Sequence, residues 1–250
     1  MFYSKKLKKL KNIKHCFFSR RDGFSKGLYK SLNCGKGSKD NKKNILRNLN
    51  YVSKKMKIKK KKLILMHQTH SNKVIEIKKN NFKRKIKSDA MITRLKGFAL
   101  GVLTADCVPI LLFDSKNNII GCIHAGWRGA FSDIIKKTIL KIKSISSNNK
   151  IYACVGPCIG KKNYEVDKQF FKKFMRKSKK NKKYFYKKND FKFLFNLRKF
   201  VADKLQEQKI KADHLNRDTF EESNNFFSYR RSTKMSQKDY GRCISAIKMI

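Results

Sequence analysis

From Phe98 to Ala130 the chain reads FALGVLTADCVPILLFDSKNNIIGCIHAGWRGA, its least polar stretch. Two β-rich runs flank the polar break Asp114–Asn118, whose Asp, Ser and Asn residues favour a turn, so the segment predicts a hairpin. A turn centred on Lys116 and Asn117 pairs His124 with Pro109. Cys107, two residues before Pro109, then lies on the face of His124 and diagonal to it. Moving the centre to Asn117–Asn118 shifts the partner to Leu111 and keeps the parity, whereas a three-residue loop or a bulge puts the two on opposite faces. The first register joins a thiol and an imidazole at the open end of one hairpin.

The 250 residues suffice for one domain with a substantial core. Apolar residues make up 40% of the chain, with 19 Phe, which excludes a disordered polycation. The net charge of +47 invites a nucleic-acid or membrane partner. Its distribution argues otherwise. Between Asp89 and Asp133 the acids Asp89, Asp106, Asp114 and Asp133 balance the bases Arg94, Lys96, Lys116 and Arg128, and the excess lies in Lys-rich runs elsewhere. A solvated basic surface is expected, with no specific nucleic acid. No apolar run approaches the roughly 18 residues of a membrane span. The basic N-terminus lacks the apolar core of a secretory signal. Seven cysteines form no CxxC pair. Reduced thiols in a cytoplasm follow as the expectation.

Residues 16–35 are turn-rich, with Gly23, Gly27 and Gly35 among Arg, Ser and Asn, a loop able to approach an anion with backbone N–H groups and Arg20. Asp40 to Lys55 predicts a helix with Ile45, Leu46 and Leu49 on one face. Strands are expected at Leu63–Met66, Val74–Ile77, Ile151–Val155 and Cys243–Ile247, and a further segment, Ser88–Thr93, leads by a turn at Gly97 into the central stretch. Gly126 opens a helix running to about Lys143, with Phe131, Ile134, Ile135, Ile139 and Ile142 inward. Its N-terminus offers free amides near His124, beside Arg128. Lys168–Lys188 predicts a helix with a solvated face, and Phe195–Gln208 an amphipathic one. With no repeat and no Gly/Ser linker, one domain over residues 1–250 is expected.

Two chemistries fit these residues. His, Cys and His from separate strands are ligands for zinc or copper, and three ligands with an open position is the catalytic zinc pattern. The same set matches the equatorial ligands of a blue-copper site. Without metal, Cys107 and His124 form a nucleophile–base pair, with Asp106 as an orienting group. His67 and His70 both stand at the end of the Leu63–Met66 strand, and spacing does not choose between them. Cys122 shares the parity of His124 and fits either a spare ligand or a small core residue.

The motifs SRRDGFSKGLYKSLNCG, HQTHSNKV, SDAMIT, TADCVPILLFD, GCIHAGWRGA, GPCIGKKNYEV and FFSYRR…GR together resemble the laccase-domain family of purine nucleoside enzymes, the YfiH-like proteins also called polyphenol oxidase or peptidoglycan editing factor. The resemblance runs through nearly the whole chain. It implies metal ligands at His70, Cys107 and His124, and leaves His67 outside the pattern. It implies a single α/β (α+β) domain with mixed β-sheets covered by helices, a sandwich similar to deamidating toxins that use a Cys/His pair.

The implied activity is phosphorolysis of adenosine, inosine and S-methyl-5′-thioadenosine, with deamination of adenosine. The partners are purine nucleosides and phosphate, the metal Zn2+ or else Cu2+, and the protein is expected to act as a monomer. Phosphate is expected at the helix start after Gly126 and at Arg128, joined by Arg20, with Cys107, Asp106 and Arg128 in the catalytic set. Two rival activities remain: a metal-independent cysteine hydrolase acting through Cys107 and His124 on cell-wall precursors, and a copper-dependent polyphenol oxidase. A four-copper laccase needs many more histidines than the five present.

Overall fold

The computed structural model describes all residues from Met1 to Ile250. In chain order the strands are β1 (Ile13–Phe17), β2 (Leu63–Leu65), β3 (Val74–Ile77), β4 (Ala90–Thr93), β5 (Ala99–Thr104), β6 (Val108–Asp114), β7 (Ile119–Ala125), β8 (Ile151–Val155), β9 (Glu165–Asp167), β10 (Phe185–Lys187), β11 (Lys192–Phe195), β12 (Asp213–His214) and β13 (Cys243–Met249). The α-helices are α1 (Lys5–Lys8), α2 (Lys42–Lys55), α3 (Trp127–Phe131), α4 (Ile134–Lys143), α5 (Lys168–Lys177), α6 (Leu197–Glu207) and α7 (Tyr229–Lys234).

The strands form a six-stranded sheet in the order β12-β8-β6-β7-β4-β3, a four-stranded sheet β1-β13-β5-β2 and a small sheet β10-β11-β9. Parallel pairs (β2 with β5, β3 with β4, β12 with β8) interrupt otherwise antiparallel ladders, so the larger sheets are mixed, as expected. The central stretch divides between two sheets: β5 joins the four-stranded one, while β6 and β7 form the hairpin at the centre of the six-stranded one.

Side-chain alternation then sets the layers. Ile110 and Leu112 of β6 face a helical layer containing Ile135 and Ile139 of α4 and Phe200 and Val201 of α6. Leu111 and Phe113 face the other sheet, meeting Leu100 and Val102 of β5 and Ile247 and Met249 of β13. On the far side of that second sheet, Ile244 and Ala246 pack against Ile45, Leu49 and Val52 of α2. The result is a helix–sheet–sheet–helix sandwich. Both faces of β6 and β7 are covered, which is why these strands read as continuous apolar runs instead of alternating ones.

The hairpin register is the one centred on Lys116 and Asn117: Pro109 pairs with His124 and Asp114 with Ile119. Asn118 closes the turn at φ 51°, a left-handed conformation that Asn tolerates. Asp114 holds the loop, accepting from Lys116 N–H, Asn117 Nδ2, Asn149 Nδ2 and Lys150 N–H.

Three local expectations are corrected. Leu46 is exposed, and Val52 completes the buried face of α2 with Ile45 and Leu49. The helix expected from Gly126 to Lys143 breaks into α3 and α4 at Ser132 and Asp133, the latter at φ 64°. Carbonyls freed by the break are satisfied from outside: Lys177 Nζ donates to Phe131 O, and Asn72 Nδ2 donates to Ser132 O at 2.8 Å. The Lys168–Lys188 stretch leaves the α-helical conformation after Lys177, at Ser178, and re-forms as a 3₁₀ segment followed by β10.

Candidate metal centre

At one end of the sandwich, β2, β4, β5 and β7 deliver their termini to a single point. His124 has the parity of Ile120 and Cys122, so it faces the gap between the two sheets. Cys107 precedes β6, in the turn that carries the chain from one sheet to the other. His70 lies in the loop after β2. That loop is pinned by Gln68, whose side chain donates from Nε2 to Leu103 O at 2.7 Å and accepts from Leu103 N–H at 2.9 Å, extending the β2–β5 ladder past its last backbone pair. The ligand-type atoms of His70, Cys107 and His124 all lie within 4.8 Å of one another. His67 is exposed and stands outside this group, and Cys122 is buried in the core between the sheets.

Asp89, just before β4, organises the centre. Its Oδ1 lies 2.8 Å from His124 Nδ1 and accepts from His70 N–H at 3.0 Å. Its Oδ2 accepts from Ser71 N–H at 2.7 Å, Ser71 Oγ at 2.6 Å and Thr69 N–H at 3.2 Å. One buried carboxylate therefore sets the backbone position of one imidazole and the ring orientation of the other. Burial alone raises the Asp89 carboxyl, but the bonds from His124 and Ser71 outweigh it and hold the group well below the usual carboxylate range. Sequence reading missed this residue. Its signal was an acid immediately before a short, mostly apolar strand, β4, all of which is buried.

The thiol and imidazole are electrostatically paired. Burial works to raise Cys107, yet the adjacent His124 charge and hydrogen bonds from His124 and His70 bring it down to about 6. Burial works to lower His124, and Cys107 with Asp89 reverse this and raise it to about 9. Gly126 makes the approach possible: a Cβ there would sit 2.8 Å from His70 Cδ2 and 3.0 Å from Cys107 Sγ.

This donor set suits a metal. Two ligands on one tetrahedral zinc place sulfur and nitrogen roughly 3.6 Å apart; Cys107 Sγ and His70 Nε2 are 3.8 Å apart. The imidazole rings meet edge to face at 77°, not stacked. The bond from His124 Nδ1 to Asp89 leaves Nε2 free to ligate, the carboxylate–histidine arrangement that accompanies bound metals.

The other sequence-predicted residues fall differently. Asp106 is adjacent to Cys107 at φ 85°, but its carboxylate is saturated by Thr219 Oγ1 at 2.7 Å, Ser228 Oγ at 3.0 Å and Arg230 N–H at 2.7 Å. Burial raises its carboxyl, and it ties the Cys107 turn to the start of α7; Asp89, not Asp106, orients His124. Arg20 does not reach the cluster. Its guanidinium donates to the carbonyls of Lys30, Ser223 and Leu28 and lies 4.3 Å over the Phe227 ring. Arg128 is exposed at the wall of a cavity of about 590 Å³ that opens onto His70 and Cys107, and it rests over Trp127 with no carboxylate partner. The α3 N-terminus beside it belongs to a five-residue helix, a much weaker anion site than the continuous helix from Gly126 to about Lys143 expected from sequence would have offered.

The family model of multi-copper polyphenol oxidoreductase laccases matches residues 14–250. A Rickettsia prowazekii purine nucleoside phosphorylase is 33% identical over 211 residues, covering 83% of this chain and 85% of that protein. A Haemophilus influenzae purine nucleoside phosphorylase is 31% identical over 228 residues, covering 90% and 91%. The crystal structure of a Neisseria meningitidis DUF152 protein superposes with a TM-score of 0.85 at 27% identity, covering 96% of this chain and 95% of that one. Bacillus licheniformis YfiH, at 23% identity and a TM-score of 0.87 over 95% and 93%, shares the fold. With the family pattern running from residue 14 to the last residue on the same sandwich, the chain belongs to the YfiH-like family of multi-copper polyphenol oxidoreductase laccase domains.

Proposed function

We propose that the protein is a metal-dependent purine nucleoside phosphorylase. Adenosine, inosine and S-methyl-5′-thioadenosine react with inorganic phosphate to give the free base and ribose 1-phosphate or its methylthio analogue, and adenosine is also deaminated at the same centre. The observation that carries this reading is the meeting of His70, Cys107 and His124 beside a cavity that His70 and Cys107 line together with Trp127, Tyr164, Tyr229 and Tyr240, rings suited to a flat purine. Relatives over most of the chain bear the name purine nucleoside phosphorylase.

His70, Cys107 and His124 would hold the metal, Zn2+ in preference to Cu2+, because two imidazoles, one thiolate and an open position match catalytic zinc. Bound there, it would polarise a substrate oxygen or supply a water acidic enough to attack carbon. Asp89 keeps the His124 proton on Nδ1 and the His70 loop in place. The protein is proposed to act as a monomer in the cytoplasm, a compartment that its seven free thiols suit. No helix is long and apolar enough to cross a membrane.

One observation favours a second reading. Asp89, His124 and Cys107 follow the orienter–base–nucleophile order of a cysteine hydrolase, with the thiol brought down to about 6. Chelation separates the two. The test is conversion of inosine to hypoxanthine and ribose 1-phosphate with and without phosphate, before and after metal removal. The phosphorylase reading expects product only with both phosphate and metal; ribose 1-phosphate formed in full after metal removal rejects the metal dependence, and phosphate-independent cleavage rejects the phosphorylase and favours the hydrolase where it also survives metal removal.

A further inference from the structure

Two cavities, not one, open onto the His70–Cys107 pair. The larger, about 590 Å³, is bounded by α3, β9 and α7. The smaller, about 280 Å³, is bounded by residues 35–37 and the ends of β2 and β5. They share His70, Ala105, Cys107 and Tyr240, and otherwise have different walls.

Their charges differ as well. The larger cavity carries three carboxylates, Asp106, Glu165 and Asp167. Two of its cations are engaged: Lys192 pairs with Glu165 at 3.1 Å, and Arg230 donates to the carbonyls of Asn163 and Glu165. The smaller cavity carries Lys36 and Arg242 and no Asp or Glu. The only side-chain hydrogen bond of Arg242 is a long one, 3.4 Å to Tyr240 O. Nearby Asp239 is occupied by Tyr29 Oη and Lys39 N–H. The backbone N–H groups of Lys36 and Gly37 have no acceptor within the chain. Gly35 lets the arginine pass, since a Cβ there would meet Arg242 Cδ at 3.0 Å and Nη1 at 3.2 Å. An anion entering the larger cavity meets one unpaired cation, Arg128, among three carboxylates, whereas in the smaller one it meets two cations and free amides with no carboxylate.

We infer that the smaller cavity is the phosphate subsite, with Lys36 and Arg242 as its cations, and that the nucleoside occupies the larger one. This rests on the phosphorylase reading above. In a displacement at C1′ the entering oxygen and the departing purine nitrogen lie on opposite sides of the carbon, which two cavities meeting at one centre allow. A phosphate oxygen forms the bond to C1′ as the C1′–N9 bond breaks. The electron pair leaves with the purine, which takes the proton given up by monohydrogen phosphate. Arg128, on the nucleoside side, is then not a phosphate ligand.

The test measures inosine cleavage against phosphate concentration for wild type, Lys36→Ala, Arg242→Gln and Arg128→Ala, and, separately, calorimetric binding of inorganic phosphate without nucleoside. Lys36 is exposed, so its variant keeps the fold even where Arg242→Gln does not. Losing a charge-assisted hydrogen bond is expected to raise the phosphate KM and Kd about tenfold or more in Lys36→Ala and Arg242→Gln, with the inosine KM little changed. Arg128→Ala is expected to leave the phosphate KM unchanged. Unaltered phosphate KM and Kd in Lys36→Ala overturn the subsite, and so does a rise confined to Arg128→Ala. If wild type shows no phosphate-dependent cleavage, the phosphorylase reading falls, and calorimetry alone decides the subsite: phosphate bound by wild type and weakened in Lys36→Ala supports it, and no binding or equal binding overturns it.

Discussion

Asp89 Oδ1 stands 2.8 Å from His124 Nδ1, and the same oxygen accepts the backbone N–H of His70. Two of the three candidate ligands are thus positioned by one buried atom, although neither lies close to Asp89 in sequence. In Asp89→Asn the charge that holds the imidazole is lost and a donor replaces an acceptor. Metal affinity is expected to fall about 10–100-fold, the usual effect of removing such a supporting carboxylate. Competition with a chromophoric chelator measures this directly; an unchanged affinity contradicts the role given to Asp89.

Gly126 has φ −68°, so its backbone accommodates alanine without strain. The added Cβ would press on His70 and Cys107 instead, at 2.8 and 3.0 Å. Gly126→Ala is therefore expected to keep its melting temperature within a few degrees while losing metal content and at least about tenfold in activity. A normally active Gly126→Ala protein contradicts the packing described around the cluster.

The cysteines give a pH-dependent prediction. In metal-depleted protein Cys107 ionises at about 6, while burial pushes Cys16 and Cys154 up to about 12, Cys243 up to about 11, and Cys34, Cys122 and Cys158 also upward. Because the thiolate is the nucleophile, iodoacetamide at neutral pH is expected to add one carbamidomethyl group, at Cys107, with a rate that reaches half its plateau near pH 6. Added zinc protects the residue. Mass spectrometry of the peptides reads the site, and labelling spread evenly over several cysteines runs against the assignment.

A separate titration involves a residue outside the cluster. His15 is buried and accepts the Ser4 N–H on Nε2 at 2.9 Å; burial lowers its pKa to about 4, against an opposing pull from Asp213. Between pH 6.5 and 4 the unfolded chain binds a proton at this residue that the folded chain does not. Stability is therefore intact above about 6.5, falls as the pH drops through that window, and levels off below about 4, a loss of roughly 3 kcal/mol at most. His15→Gln, whose side-chain oxygen can accept the same N–H, is expected to flatten the slope. Urea unfolding of both proteins from pH 7 to pH 4 measures the difference, and parallel slopes contradict it.

The hairpin register was readable because a polar turn sits between apolar runs; its parity puts Cys107, in the turn just before β6, on the side of His124, and the close packing also needs the bare backbone of Gly126. His70 could not be placed that way: its loop reaches the cluster through the Gln68 bonds to Leu103, 35 residues away. The role of Asp89 was hidden for the same reason, since its partners lie 18 to 35 residues distant. The break between α3 and α4 interrupts a run whose apolar periodicity continues across it, and its support comes from Lys177 and Asn72, which local pattern does not reveal. Arg20 looked available for an anion beside its glycines, but carbonyls at Leu28, Lys30 and Ser223 claim its guanidinium.

The central claim is that His70, Cys107 and His124 bind a metal on which nucleoside phosphorolysis depends. Metal content of purified wild type and Cys107→Ala, with phosphate-dependent inosine cleavage measured on the same samples, tests it most directly. The account predicts about one zinc ion per wild-type chain, little metal in Cys107→Ala, and cleavage that disappears with it. Equal metal in the two proteins, or undiminished cleavage by Cys107→Ala, would contradict it.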